Sequence, residues 1–412
     1  MKNPNIPFSL PCIDEDVQKE IHSCLTETGW LTTGPKTKEF EEEISKISET
    51  NHTLCVNSWT SAALLLIRWL DLSEDDEIII PAYTYAATAL SVLNSRVKCV
   101  MVDIDDDFLI DINKIEKAIT SKTKAIMPVD LGGMPVDYPK LKEMLESKAV
   151  KSLYSPNTAF QARLGRPVII SDAAHSIGSQ IKNRATSIYP DFTIYSFHSV
   201  KNITTGEGGA ITFKIFSEKE DLQIIQELRL LSLNGQNKSA FEKNNIGGWR
   251  YDILTNGLKV NMPDLNASIG LAQIRKYKSE LLPERESIFR RYNKNLSKQN
   301  WAILPKSQIE ERSTSYHLYQ LRIKGLSENQ RNMVISKLAE KGINANVHYI
   351  PLPLLSYFKN IGYNMEDYPN SLNNYVNEIS LPLYNKLKLN DVDYICSNLI
   401  HIVNELFSRK DQ

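Results

Sequence analysis

The stretch Asp191-Phe-Thr-Ile-Tyr-Ser-Phe-His-Ser-Val-Lys-Asn-Ile-Thr-Thr-Gly-Glu-Gly-Gly-Ala-Ile-Thr-Phe213 decides how the rest of the chain is read. It predicts a strand from Phe192 to Phe197, a polar turn carrying Lys201, a glycine-rich turn, and a second strand from Ala210 to Phe213. Lysine is seldom buried without a partner, so a lysine between two apolar strands calls for a reason. A desolvated lysine gives up its proton readily and becomes a nucleophilic amine, the group that a Schiff base with a carbonyl cofactor requires. Upstream, Pro167-Val-Ile-Ile-Ser171 predicts a buried strand that delivers Asp172 at its C-terminal end. Asp172 and Lys201 are the first candidate pair. Pyridoxal phosphate fits them, because it needs an amine for its aldehyde, a carboxylate for its pyridine nitrogen and a cradle for its phosphate.

Working outward, Cys55-Val-Asn-Ser-Trp-Thr-Ser-Ala-Ala-Leu-Leu-Leu-Ile-Arg-Trp69 predicts a short strand, a polar turn and an apolar helix. Ser58, Thr60 and Ser61 fall where the helix begins. Hydroxyls and free backbone N–H groups there suit an anion, and equally suit a plain helix cap. Glu77-Ile-Ile-Ile-Pro81, Lys98-Cys-Val-Met-Val-Asp103 and Ala125-Ile-Met-Pro-Val-Asp130 continue as strands, with helices expected from about Tyr83 and over 111–119. Strands that recur with helices between them predict a mostly parallel sheet, with ligands at the carboxyl ends of its strands. Further helices are expected over 13–28, 36–48, 219–233 and 265–273. From about residue 284 a long charged helix leads into a smaller α/β unit, with strands at 316–323 and 344–349 and helices at 327–341 and 390–407. The expected division is a large cofactor-binding domain, 1–283, and a small C-terminal domain, 284–412. Residues 148–166 are long for a connector and are expected at the periphery, since they enter the Asp172 strand from the end opposite the cofactor.

The 412 residues suffice for two domains and a large core. With 48 basic and 49 acidic residues the net charge is −1, which favours neither nucleic acid nor an anionic membrane as a partner. The five cysteines are scattered without a C-x-x-C pair, which argues against a disulfide framework or structural zinc and fits a reducing cytosol. The N-terminal residues lead to no apolar signal core, and no run approaches 18 apolar residues, so the expectation is a soluble cytoplasmic protein.

The segments Ser-Asp-Ala-Ala-His-Ser-Ile-Gly (171–178), Tyr-Ser-Phe-His-Ser-Val-Lys-Asn (195–202) and Thr-Thr-Gly-Glu-Gly-Gly (204–209) resemble the sugar aminotransferases of the DegT/DnrJ/EryC1/StrS group, fold type I pyridoxal phosphate enzymes. The resemblance runs from about Gly29 to the last hundred residues. It implies a seven-stranded-type large sheet, an amino-acid donor such as L-glutamate, a nucleotide-linked ketosugar acceptor, and a place in amino-sugar or polysaccharide biosynthesis. By the same resemblance Thr60, Ser61 and Ser196 cradle the phosphate, and Tyr85 rather than Tyr83 stacks on the pyridine ring. His175 meets the cofactor's 3-oxygen or the lysine linkage. Lys259 and Asn261 reach the phosphate of a neighbouring subunit, which implies a homodimer with composite sites. The turn Trp30-Leu-Thr-Thr-Gly-Pro35, through Trp30, Thr32 and Thr33, lies at the site mouth. His317, His348 and Tyr349 are further candidates for substrate contact, although a lone histidine is more often a satisfied structural residue. One departure stands out: Trp59 occupies a position where the group usually has glycine, and tryptophan is costly if that position needs positive φ.

Two rivals remain: a related deoxysugar dehydratase using pyridoxamine phosphate, in which the lysine is replaced by histidine, and, from a different class, a non-catalytic cofactor- and sugar-binding regulatory or scaffold protein. Lys201 and Asp172 together favour the transaminase. A metallohydrolase would need His and carboxylate clusters at ligand spacing, and His175 and His198 offer none. A Rossmann dehydrogenase would need G-x-G-x-x-G after a first strand, a spacing that Gly206 to Gly209 lacks.

Overall fold

The computed structural model describes residues 4–244 and 249–408. Its centre is a seven-stranded sheet in the order His52–Val56, Gly209–Phe213, Phe192–Ser196, Val168–Asp172, Thr123–Ile126, Glu77–Pro81, Lys98–Val102. The five strands from Phe192–Ser196 to Lys98–Val102 run parallel. Gly209–Phe213 is antiparallel to both its neighbours. Alternation sends successive side chains to opposite faces. Ile78, Ile80, Ile170 and Ile194 pack beneath Ala62, Leu65 and Leu66 of the helix Trp59–Trp69. Ile79, Ile126 and Ile169 meet Ile115, Leu141 and Leu145 on the other side. Both faces are covered, which is why these strands read as unbroken apolar runs.

The lysine-bearing turn is a long hairpin between the Phe192 and Gly209 strands. The Phe197 N–H donates to Gly208 O at 2.8 Å, and the Thr205 N–H to Phe197 O at 2.9 Å. Glycine at 209 is required by proximity: a Cβ there would lie 2.6 Å from the Ser58 carbonyl carbon and 2.7 Å from the Trp59 nitrogen. The hairpin is thereby pressed onto the start of the helix Trp59–Trp69.

A second, three-stranded sheet orders Ala302–Ile303, Tyr319–Ile323 and Glu378–Leu381, backed by the helices Leu282–Leu296, Glu328–Glu340 and Leu389–Ser408. The chain crosses the 283/284 boundary in both directions. Ile6 sits in the core of the smaller unit and pairs with Ile343, whereas Leu352, Phe358, Met365 and Tyr368 pack into the core of the large sheet. Residues 344–349, expected as a strand, form only the isolated pairing of Asn346 with Ser380 before a cis peptide at His348–Tyr349. Side chains take the backbone groups a ladder would have used: the His348 N–H donates to the Glu378 carboxylate at 3.0 Å, and Gln320 Nε2 donates to the His348 carbonyl at 2.8 Å. The expected helix over 13–28 is an α-helix only over Glu15–Ser23, continued by a wider turn over Cys24–Thr28.

Residues 148–166 fold as two short helices, Lys148–Leu153 and Ala159–Leu164, each started by a hydroxyl cap, Ser147 and Thr158. The segment packs through Phe160 on Trp69 and Phe192, at ring distances of 4.9 and 5.9 Å. It ends at Arg166, whose guanidinium donates to both Asp191 oxygens at 2.7 and 2.8 Å, both groups being buried. Removing one member of such a pair strands the other charge, at a cost of about 3–5 kcal/mol. Arg166→Met should therefore lower the unfolding free energy by about that amount. The double variant Arg166→Met/Asp191→Leu should recover most of the loss, as read from urea midpoints.

Candidate active site

Lys201, Asp172, His175, Tyr85, Thr60, Ser196, His348 and Tyr349 line one cavity of about 420 Å³ at the carboxyl ends of the strands. Asp172 ends its strand with its carboxylate buried. It accepts from Thr88 Oγ1 at 2.8 Å and from the Ala174 N–H at 3.2 Å. Burial pushes its pKa up to about 6, opposed by those two hydrogen bonds and by the charge of Lys201. Lys201 is the converse case. Desolvation lowers its pKa to about 8, and the charge of Asp172 opposes the shift. About one amine in ten is then neutral at pH 7, against about one in three thousand for an ordinary lysine. Its nitrogen has no hydrogen-bond partner among the described residues.

The hydroxyls at the helix start are not equivalent. Ser58, Thr60 and Ser196 line the cavity, but Ser61 stands one step back. Its N–H donates to Ser58 Oγ at 3.0 Å, and Ser58 Oγ–H donates to Ser61 Oγ at 2.9 Å, so Ser58 is a true cap. Trp59 is the first residue of a right-handed helix and has no positive φ, so tryptophan carries no backbone penalty there. Tyr85 lines the cavity and is 63% exposed, whereas Tyr83 is fully buried against Phe108. Tyr85 is therefore the ring available for stacking.

His175 has both nitrogens engaged. Nδ1 accepts the Gly132 N–H at 3.2 Å, and Nε2 lies 3.2 Å from the Tyr349 hydroxyl. Burial and the charge of Lys201 hold its pKa well below the ordinary value, so the ring is neutral. His317 stacks on it at 4.2 Å and bonds through Nδ1 to Asn202 Oδ1 at 2.8 Å. His348 stacks on Phe8 at 5.1 Å and contacts Ser380 Oγ at 3.0 Å.

Five predicted residues gather elsewhere. Asn261 donates to Thr33 Oγ1 at 2.6 Å and is bonded by Lys259, while Thr33 Oγ1 donates to the Met262 carbonyl at 2.7 Å. Trp30 Nε1 donates to the Thr33 carbonyl at 3.0 Å, and the Thr32 carbonyl faces the Asp264 N–H. None of Trp30, Thr32, Thr33, Lys259 and Asn261 lines the cavity within this chain. Thr88, His198 and Glu207 do line it and were not singled out from sequence. Thr88 sits in the first turn of the helix Ala86–Asn94, three places after Tyr85. A larger groove of about 880 Å³, rimmed by Arg68, Arg96 and Glu227, contains none of the predicted site residues. Among the described residues no group of three or more His, Cys, Asp or Glu is placed to hold a metal ion.

An unpartnered, partly desolvated amine opposite a buried carboxylate, beside a helix start rich in hydroxyls, fits pyridoxal phosphate at each of its three attachment points. A profile of the DegT/DnrJ/EryC1/StrS aminotransferase family matches residues 11–400. The chain belongs to this family. Its members are pyridoxal phosphate-dependent, and the α/β fold with a large, mostly parallel sheet is that of the fold type I aminotransferases. Among family relatives, the spore coat polysaccharide biosynthesis protein SpsC of Bacillus subtilis is 31% identical over 407 residues, 98% of each chain. Spr1654 of Streptococcus pneumoniae, assigned as a sugar aminotransferase, is 42% identical in its PMP form, with TM-score 0.93 over 97% of this chain and all of that one. PseC of Helicobacter pylori, an aminotransferase involved in the biosynthesis of pseudoaminic acid, is 25% identical with TM-score 0.84, over 98% of this chain and all of that one.

The hydrogen bond from Thr88 holds down the pKa of the Asp172 carboxylate, so its loss raises that pKa further. Cofactor retention that needs the ionised carboxylate is present above this pKa and is lost as pH falls through it. Thr88→Val should therefore release pyridoxal phosphate at a higher pH than the parent, as measured by absorbance titration of both proteins from pH 8 downward.

Proposed function

We propose that this aminotransferase moves an amino group from an amino-acid donor, L-glutamate in our reading, to the keto carbon of a nucleotide-linked deoxysugar, in cytoplasmic amino-sugar or polysaccharide biosynthesis. The observation that carries the reading is Lys201, a partly buried amine in the same cavity as Asp172 that has no hydrogen-bond partner among the described residues. When bound, pyridoxal phosphate supplies an electron-withdrawing ring that stabilises negative charge on the substrate carbon. Asp172 would favour a protonated pyridine nitrogen through charge attraction. Lys201 Nζ would hold the cofactor and is the group that would move a proton at the reacting carbon, a task its lowered pKa suits. Tyr85 offers a ring face, and the hydroxyls of Ser58, Thr60 and Ser196 with the helix start bind phosphate. The relatives named for spore coat polysaccharide and pseudoaminic acid biosynthesis support a sugar acceptor. Lysine at 201 disfavours the dehydratase alternative.

Apart from Lys201 and histidines, no cationic residue lines the cavity among the described residues. A phosphate dianion there would stay poorly neutralised. Lys259 is exposed and outside its own cavity, so we assign it to the phosphate of a second copy in a two-fold dimer with composite sites.

Two outcomes follow. Lys201→Ala should keep the fold while turnover with glutamate and a nucleotide-linked ketosugar falls on the order of 10³-fold or more, followed by 2-oxoglutarate release. Lys259→Met should weaken cofactor binding about tenfold, the loss expected of one hydrogen bond to a charged group, without dissociating the dimer in sedimentation. A monomer that holds the cofactor tightly would contradict the composite site.

A further inference from the structure

The wall of the cavity opposite Asp172 carries a set of hydrogen bonds whose directions are fixed by donor and acceptor chemistry. A backbone N–H can only donate, so the 3.2 Å contact from Gly132 places a lone pair on His175 Nδ1. A neutral imidazole then carries its single proton on Nε2. At 3.2 Å from Tyr349 Oη, His175 is accordingly the donor and the phenol oxygen the acceptor. The phenol keeps its own proton, for which the described residues offer no other partner.

The layer behind supports the same assignment. The Asn202 amide nitrogen donates to the Ser315 carbonyl at 2.8 Å and to Tyr277 Oη at 3.0 Å. Its oxygen therefore faces His317, whose Nδ1 must hold the proton in that 2.8 Å contact. The stacked rings of His175 and His317 thus have opposite tautomers, and burial keeps both neutral. Tyr349 is held in place on both sides. Its ring lies 6.1 Å from His175 and 5.8 Å from Tyr85, and the preceding peptide is gripped by Gln320 and Glu378.

We propose that Tyr349 is a specificity-determining donor that turns its hydroxyl proton into the cavity toward a neutral oxygen of the sugar acceptor, with His175 as the residue that positions it. The inference rests on the sugar-transaminase reading given above. The charge of the wall selects the partner: the neutral imidazoles of His175 and His348 and the neutral phenol of Tyr349 offer little to the carboxylates of an amino-acid donor. They suit a carbonyl or hydroxyl oxygen well.

The test separates the two half-reactions of the holoenzyme by stopped-flow absorbance. Glutamate added to the pyridoxal form reports the donor half, and a nucleotide-linked ketosugar added to the pyridoxamine form reports the acceptor half. Tyr349→Phe should reduce kcat/KM of the acceptor half about tenfold, the loss of one neutral hydrogen bond, and leave the donor half within about twofold. Equal loss in both halves, or none in either, would overturn the proposal. A second readout does not depend on turnover. Nitrogen NMR of the imidazoles in the cofactor-free protein, with the His175 signal assigned through His175→Gln, should show Nε2–H and a bare Nδ1. The reverse tautomer would overturn the proton direction. If the parent enzyme reacts with neither substrate, the functional reading has failed, and the nitrogen spectrum alone decides the direction of the Tyr349 bond.

Discussion

The site depends on two opposite charges that share one desolvated cavity. Asp172 ends one strand, and Lys201 stands in the hairpin that follows the adjacent parallel strand. Burial penalises each charge and drives the two pKa values toward one another, the carboxylate up to about 6 and the amine down to about 8. Each charge resists the shift of the other. The result at neutral pH is a carboxylate still mostly ionised and an amine with an appreciable neutral fraction, the pair that a pyridine nitrogen and an aldehyde need.

Holding that arrangement requires the surroundings to be well satisfied. A second buried carboxylate, Asp130, accepts from Ser176, Tyr138, Ser171 and the Val136 N–H, and so ties the turn after one strand to the segment carrying His175. At the opposite end of the sheet Arg166 and Asp191 lock the entry to the same two strands. The smaller unit closes the cavity from the other side through His348 and Tyr349. Its N-terminal contribution, Ile6, and its return segment around Leu352 bind the two cores together.

The fold was legible because its strands are apolar on both faces and alternate with helices, and because the lysine hairpin carries a specific run of residues. The family resemblance singled out Tyr85 over Tyr83, and the structure buries Tyr83 and exposes Tyr85. Three features were not legible. The 344–349 segment has strand composition, but Glu378 and Gln320 intercept its backbone groups, a long-range competition that no local pattern records. The division of labour between Ser58 and Ser61 depends on which hydroxyl turns back to cap the helix. The cluster of Trp30, Thr32, Thr33, Lys259 and Asn261 lies outside the cavity of its own chain, a placement that no local sequence pattern records. The departure at Trp59 proved harmless, because the backbone there is ordinary helix.

Everything proposed for this site requires Lys201 to be the amine that carries the cofactor. Reducing the pyridoxal phosphate-loaded protein with borohydride, digesting it and mapping the pyridoxyl group by mass spectrometry tests this directly. A single label on Lys201, absent from Lys201→Ala, is expected. A label on another lysine, Lys259 above all, would contradict it.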